Sequence, residues 1–205
     1  SRRARALVHV LGALGLVCAL AFLTLASLPH RHATLASTRI YPNDFAGWQQ
    51  VGGWMRERVA PGERVVASDF ELGAQLAFAL DRDDIAVLDS PLNRKHGRAV
   101  QLRLWGAQLD VAPATPVLLV VDDSATPLKR RLELYHRHCE LFGALPPPAV
   151  LNVDHGRKRY LLFRFDPRRA RAGCAAPALA WIDAPRPEAR LAQNFEVAGW
   201  AFKDG

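Results

Sequence analysis

Residues 64–80 read Arg64-Val65-Val66-Ala67-Ser68-Asp69-Phe70-Glu71-Leu72-Gly73-Ala74-Gln75-Leu76-Ala77-Phe78-Ala79-Leu80. The first four residues are a short β-branched run of strand type. Ser68-Asp69-Phe70-Glu71 follows as a Ser-x-x-Glu capping box, in which the Ser oxygen takes a free helix N–H and the Glu reaches back. Leu72, Leu76 and Leu80 then line one side of the helix that the box opens. A strand, a capped turn and an amphipathic helix are the first part of an α/β unit.

Downstream the pattern repeats. Ile85-Ala86-Val87-Leu88 reads as a second strand ending at Asp89. Pro113 to Pro116 punctuates the chain, and Val117 to Val121 is apolar throughout, as suits a central strand covered on both faces. Thr126-Pro127 starts a helix with Pro at its first position, and Leu128, Leu132 and Tyr135 give its buried side. Cys139 to Leu145 is strand-like, and Pro146-Pro147-Pro148 interrupts it. Ala149–Val153 and Arg159–Phe165 flank Asp154-His155-Gly156-Arg157, a hairpin signal. The expected fold class is α/β: a three-layer domain with a mostly parallel sheet and an antiparallel edge hairpin.

Upstream, Asn43 or Asp44 is placed to cap a helix. Phe45, Trp48, Val51 or Gly52, Met55 and Val59 recur at helical spacing until Pro61-Gly62. Gly52-Gly53 weakens this helix by about 1 kcal/mol per Gly relative to Ala unless close packing requires them. Further upstream, Ala6 to Leu28 contains no Asp, Glu, Lys or Arg. A bilayer core of roughly 30 Å takes about 20 apolar residues of helix to cross. Arg2, Arg3 and Arg5 precede the run, and the positive-inside bias puts them in the cytoplasm and Pro29 onward outside. A secretory signal peptide has the same basic start, but its apolar region runs about 7–15 residues. The expected locations are therefore the inner (plasma) membrane for one span and the periplasm for the rest.

The expected organisation is a transmembrane helix at 6–28, a connector at 29–42, an extracytoplasmic α/β domain at 43–166 and a linker at 167–178. Residues 179–205 begin a β-sandwich-like module, with strands at Leu179–Ile182 and Phe195–Phe202. The chain starts at Ser1 and stops directly after a strand-like run, so a longer parent is expected. The formal charge is +7, from 27 Lys and Arg against 20 Asp and Glu, and the pI is near 9.9. Nucleic acid is one reading of such a balance. Beside a membrane span, an Arg-rich chain against anionic lipid accounts for it better, and no nucleic-acid partner is expected.

Four sets of residues bear on chemistry. Asp69, Asp89 and Asp122, with Asp123, fall just after strands, where ligands bind in open parallel sheets. Carboxylates there could hold magnesium, but helix capping and turns account for them without it. His136, His138 and Cys139 lack further ligands at zinc spacing, and no P-loop or Gly-x-Gly-x-x-Gly occurs. No metal, no cofactor and no catalytic residue is therefore assigned. Asn93, Arg94, Arg98, Gln101 and Trp105 lie in a basic, aromatic crossover between strands. They could recognise an anionic or sugar-bearing group, or they could form an exposed connector whose Trp covers the sheet. Finally, Cys139 and Cys174 lie outside the span, in an oxidising compartment, and are expected to pair. Two unpaired cysteines are the alternative.

Several of these motifs occur in a familiar order. Asp44-Phe45-Ala46-Gly47-Trp48, then Ala67-Ser68-Asp69-Phe70-Glu71-Leu72-Gly73-Ala74-Gln75-Leu76-Ala77-Phe78, then Gly97 to Gln101 with Trp105, resemble the C-terminal extracytoplasmic domain of bacterial GT-C membrane glycosyltransferases. These are the family 39 relatives of protein mannosyltransferases and of the lipid A aminoarabinose transferase. The resemblance covers roughly Ala6 to Phe165. The tail, Trp181 to Pro185 with Phe195 to Phe202, resembles the opening of a bacterial immunoglobulin-like module.

The family resemblance implies a multi-span enzyme moving a sugar from a polyprenyl-phosphate donor, with its catalytic carboxylate in the first external loop. This chain has no counterpart of that loop, so no catalytic residue carries over. The implied role is a non-catalytic domain whose partners are the bilayer, the membrane-embedded catalytic body of the parent enzyme and its lipid-linked sugar. A stand-alone membrane-anchored binding or sensor domain is the second reading, and a periplasmic enzyme using the acidic strand ends is the third.

Overall fold

The computed structural model describes residues 2–27, 47–111, 113–124, 126–153, 158–168, 179–185 and 189–202. Helix α1 spans Arg2–Ser27. Its window Arg2–Thr24 has a mean hydropathy of 2.4 and is wholly unburied. A helix with an apolar surface all round and no protein packed on it is long and apolar enough to cross a membrane. By length and composition alone, a signal sequence meets the same description.

The α/β region runs α2 (Trp48–Arg56), β1 (Arg64–Ala67), α3 (Phe70–Leu80), β2 (Ala86–Leu88), α4 (Pro91–Lys95), α5 (Arg98–Leu104), β3 (Gln108–Leu109), β4 (Val117–Asp122), α6 (Leu128–Phe142), β5 (Ala149–Val153) and β6 (Lys158–Phe165). The sheet order is β3-β2-β1-β4-β6-β5. The first four strands are parallel. β6 joins β4 antiparallel, with Val117 opposite Phe165, and β5 closes the hairpin edge. This is the expected α/β class with its antiparallel edge.

Strand alternation builds the three layers. Val66, Leu119, Val121, Leu161 and Phe163 face α6, where they pack with Tyr135 and Phe142. Val65, Ala67, Leu118, Val120, Tyr160 and Leu162 face the other way, onto Val51, Met55, Leu72 and Leu76 of α2 and α3. β4 is buried on both sides from Val117 to Val121, which is why its sequence is a continuous apolar run.

Several expectations need correction. α3 is capped by Asp69, not by a Ser68 box: Asp69 Oδ1 accepts from Glu71 N and Leu72 N, each at 3.0 Å. Ser68 belongs to the strand end. It donates to Asp69 Oδ2 at 2.9 Å and accepts from Asp122 N at 3.4 Å, tying β1 to β4. α2 is capped by Gly47, which offers no side-chain bond; Asn43 and Asp44 lie outside the described residues.

Cys139–Leu145 is not a strand. α6 continues to Phe142, and Tyr135, His138, Cys139 and Phe142 form its buried stripe. A short apolar run reads alike as strand or buried helix. Pro127 stands just before α6, at the cap. β3, two residues at the sheet edge, had no sequence signal. Gly52 has the packing reason its cost requires, since a Cβ there would stand 2.8 Å from Ala79 Cβ on α3.

The C-terminal pair is β7 (Leu179–Ala184) and β8 (Ala198–Phe202), antiparallel in a two-stranded sheet. Leu179 is buried with the cluster on the α6 face. β8 starts three residues later than expected, because Phe195 to Val197 form no ladder. Cys18 is a free thiol on α1, and Cys139 is buried on α6. The expected bond falls partly on Cys174, which lies outside the described residues.

Candidate functional site

The crossover from β2 to β3 folds as two short helices, not as an open connector. α4 begins on the Ser90 cap, whose hydroxyl accepts from Asn93 N at 3.2 Å. Asn93 is then fully buried. Its amide donates to Leu88 O at 2.8 Å and accepts from Phe70 N at 2.9 Å, locking the end of β2 to the start of α3. Both faces of the amide are spent on backbone, so Asn93 holds the scaffold. Arg94 pairs with Asp89 at the surface.

The remaining three residues converge. Arg98, Gln101 and Trp105 lie along α5 and at its end, and line a groove of about 400 Å³ against α3. Phe70, Gly73, Ala74 and Ala77 form the opposite wall, and Ile85 and Val87 the floor. Small residues on α3 make this space. A Cβ at Gly73 would come within 2.7 Å of Val87 Cγ2, so the helix sits close on the strand at that point. The Arg98 guanidinium stands over the Phe70 ring at 5.9 Å. It also reaches Gln101 Oε1 at 3.4 Å, which fixes that amide beside the mouth.

The apolar rim is open. Trp105 is 69 % exposed and Leu104 81 %, and Phe78, next to the groove residue Ala77 on α3, is 89 % exposed. Trp105 therefore does not cover the sheet as the connector reading required. Exposed large apolar side chains thus ring a mostly apolar groove that holds one cation, Arg98, and one carboxylate, Asp83.

The acidic strand ends are placed where expected but are occupied. Asp69 serves α3 and Ser68 through both oxygens. Asp89 is held by Arg94. Asp122 Oδ1 accepts from Ser124 N at 3.0 Å and Ser124 Oγ at 2.6 Å, forming a turn. Among the described residues no three His, Cys, Asp or Glu groups stand together as a metal site would need.

Two buried groups take roles other than those their sequence reading suggests. Asp123 is completely buried. It accepts from Tyr135 Oη at 2.5 Å and from Arg159 Nε at 2.7 Å, and Arg131 lies 3.3 Å away. Burial, then this hydrogen bond and the Asp123 charge, raise the Tyr135 phenol well above its usual range. His138 is buried beside Arg137, and burial foremost, then the Arg137 charge, lowers its imidazole to about 4. His138 reads in the sequence only as part of an incomplete zinc set with His136 and Cys139, and Asp123 as a candidate ligand or turn residue beside Asp122.

The chain matches no family model, no curated protein and no solved structure.

Proposed function

We propose that this chain is the non-catalytic periplasmic domain of a membrane glycosyltransferase of the GT-C type, which takes its sugar from a polyprenyl-phosphate donor. α1 is its last membrane helix. The α3–α5 groove faces the membrane-embedded catalytic body and the lipid-linked sugar. The observation that carries this reading is the convergence of Arg98, Gln101 and Trp105 on one groove with an exposed apolar rim. Guanidinium groups suit phosphate, and amide and aromatic groups suit a sugar face.

In the full-length parent, Arg98→Ala and Gln101→Ala are expected to lower sugar transfer about tenfold each, the loss of one charge-assisted or polar contact. Both side chains are at the surface of the fold, so the melting temperature stays nearly unchanged. Full activity in both variants, or unfolding of both, refutes the groove's role.

The membrane arrangement belongs to the same reading. Arg2, Arg3 and Arg5 are cytoplasmic, and everything after α1 is outside. That compartment lets Cys139 pair with Cys174 and tie the linker back to α6. A reporter fused after Phe165 is expected to be active only in its periplasmic form, and two thiols become titratable only after reduction. A cytoplasmically active fusion rejects the orientation.

A second reading, a membrane-anchored periplasmic binding domain, is favoured by the separate cleft at the strand ends, which needs no catalytic body to form.

A further inference from the structure

We propose that the cleft at the carboxyl ends of β1, β2 and β4 binds a small phosphate monoester of sugar type, through Lys95, Arg130, Arg137 and Thr126. This site is distinct from the α3–α5 groove and does not rest on the glycosyltransferase reading.

The topology puts a crevice there. The chain leaves β1 for β2 and β3 on one side, then returns across the sheet to β4 beside β1. Ligands of open α/β sheets bind at such a reversal of strand order. The cleft has a volume of about 250 Å³, below the roughly 300–1,000 Å³ of drug-sized pockets, so its ligand is small.

The lining separates into groups already engaged and groups left over. Ser68, Asp69 and Asp122 line the cleft, but their bonds hold β1, β4 and α3 together. Ser90 caps α4. Lys95 and Arg137 make no ion pair among the described residues, and Arg130 has only an exposed contact with Glu133 at 3.5 Å. Lys95 enters from α4, and Arg130 and Arg137 come from one face of α6, about two turns apart. The first turn of α6, 15 residues long, carries no acid and no side-chain cap, and Thr126 and Pro127 before it line the same space. Cations from two elements converging beside a hydroxyl match a phosphoryl group, whose several oxygens each accept.

An independent observation lies deeper. The cleft continues into a recess of about 190 Å³, with Ser68, Ser90, Pro91, Leu134 and Arg137 common to both. His138 lines this recess at 5 % exposure, and neither its Nδ1 nor the Nε of Arg137 has a hydrogen-bond partner. Buried polar atoms are otherwise nearly always paired. Asp89, paired with Arg94, and Asp110, which accepts from Gln108 Nε2 at 2.6 Å, stand in the same recess, and each keeps oxygen lone pairs that can accept from ligand hydroxyls while the phosphate sits with the cations. A hydroxylated body joined to a phosphate fills both parts.

The test uses the full chain in discs of zwitterionic lipid, titrated calorimetrically with glucose 6-phosphate, inorganic phosphate and glucose. Glucose 6-phosphate is expected to bind saturably, about tenfold or more tighter than glucose. Arg137→Gln and Lys95→Gln each weaken it about tenfold, and Arg98→Ala leaves it unchanged. Lys95 is exposed, so Lys95→Gln remains informative if Arg137→Gln disturbs the fold. Discs containing phosphatidic acid distinguish the ligand's source: competition with glucose 6-phosphate assigns the site to a lipid phosphate, and its absence to a soluble one. No saturable binding of any phosphate probe, or binding that neither variant changes, overturns the proposal. Loss of glucose 6-phosphate binding on Arg98→Ala would instead place the phosphate in the α3–α5 groove.

Discussion

Asp123→Ala is expected to destabilise the fold by about 3–5 kcal/mol, the range for removing one partner of a buried ion pair. Asp123 is wholly buried at the end of β4 and joins three elements. Tyr135 of α6 donates to Oδ1, Arg159 of β6 donates to Oδ2, and Arg131 of α6 approaches at 3.3 Å. Its backbone takes part as well, since Asp123 N donates to Arg159 O at 3.0 Å. Removing the carboxylate strands a buried phenol donor and leaves two guanidinium groups facing each other without the charge between them. Arg159 is partly open to water and can relax, whereas Tyr135 at 1 % exposure cannot.

Asp123→Asn keeps the volume and one acceptor and is expected to lose less. Denaturant unfolding of the chain in micelles, followed by tryptophan fluorescence, measures both. A loss below 1 kcal/mol for Asp123→Ala would show that the cluster contributes no more than a surface ion pair.

The same residue shows where the sequence stops being legible. Asp122-Asp123 after a five-residue apolar run reads as a strand end, and both were grouped with Asp69 and Asp89 as candidate ligands. Two adjacent residues of a strand point to opposite faces. Asp122 turns the chain through Ser124, while Asp123 meets α6. That difference depends on Tyr135 and Arg159, 12 and 36 positions away in sequence, and no local pattern encodes it.

The fold class was legible because its signals are local. Residues 64–80 announce strand, turn and helix within one short stretch, and turn-type residues flag the break between the runs that pair as β5 and β6. Cys139 to Leu145 misread for the same reason: the buried face of a helix end and a short strand are equally apolar. In the crossover, residue types singled out Arg98, Gln101 and Trp105, which the fold places along one groove. They could not separate Asn93, whose polarity answers two backbone groups inside the fold. A polar residue needed by a buried backbone and one needed by a ligand look identical in sequence.

His138 carries the second large effect, and it is one of acid pH. Its imidazole sits at about 4 in the fold because burial, then the neighbouring Arg137 charge, disfavours the cation. In the unfolded chain it returns to its usual value near 6.5. The folded pKa is therefore lowered, and below about 6.5 the unfolded state binds the extra proton. Stability rises with pH wherever the unfolded state holds more protons. The contribution is thus complete above about 6.5 and is lost as pH falls towards about 4 and below. A gap of roughly 2.5 units at about 1.4 kcal/mol per unit makes it on the order of 3 kcal/mol.

Replacing the ring with Leu, which carries no charge, is expected to flatten this part of the profile. Wild-type stability drops between pH 7 and pH 4 by about 3 kcal/mol more than that of His138→Leu. His136, half-buried on the same helix, provides the control, because His136→Leu keeps the His138 titration intact. Denaturant midpoints across this pH range give the comparison. If wild type and His138→Leu fall in parallel, the acid sensitivity belongs to the carboxylates, and the buried imidazole has no part in it.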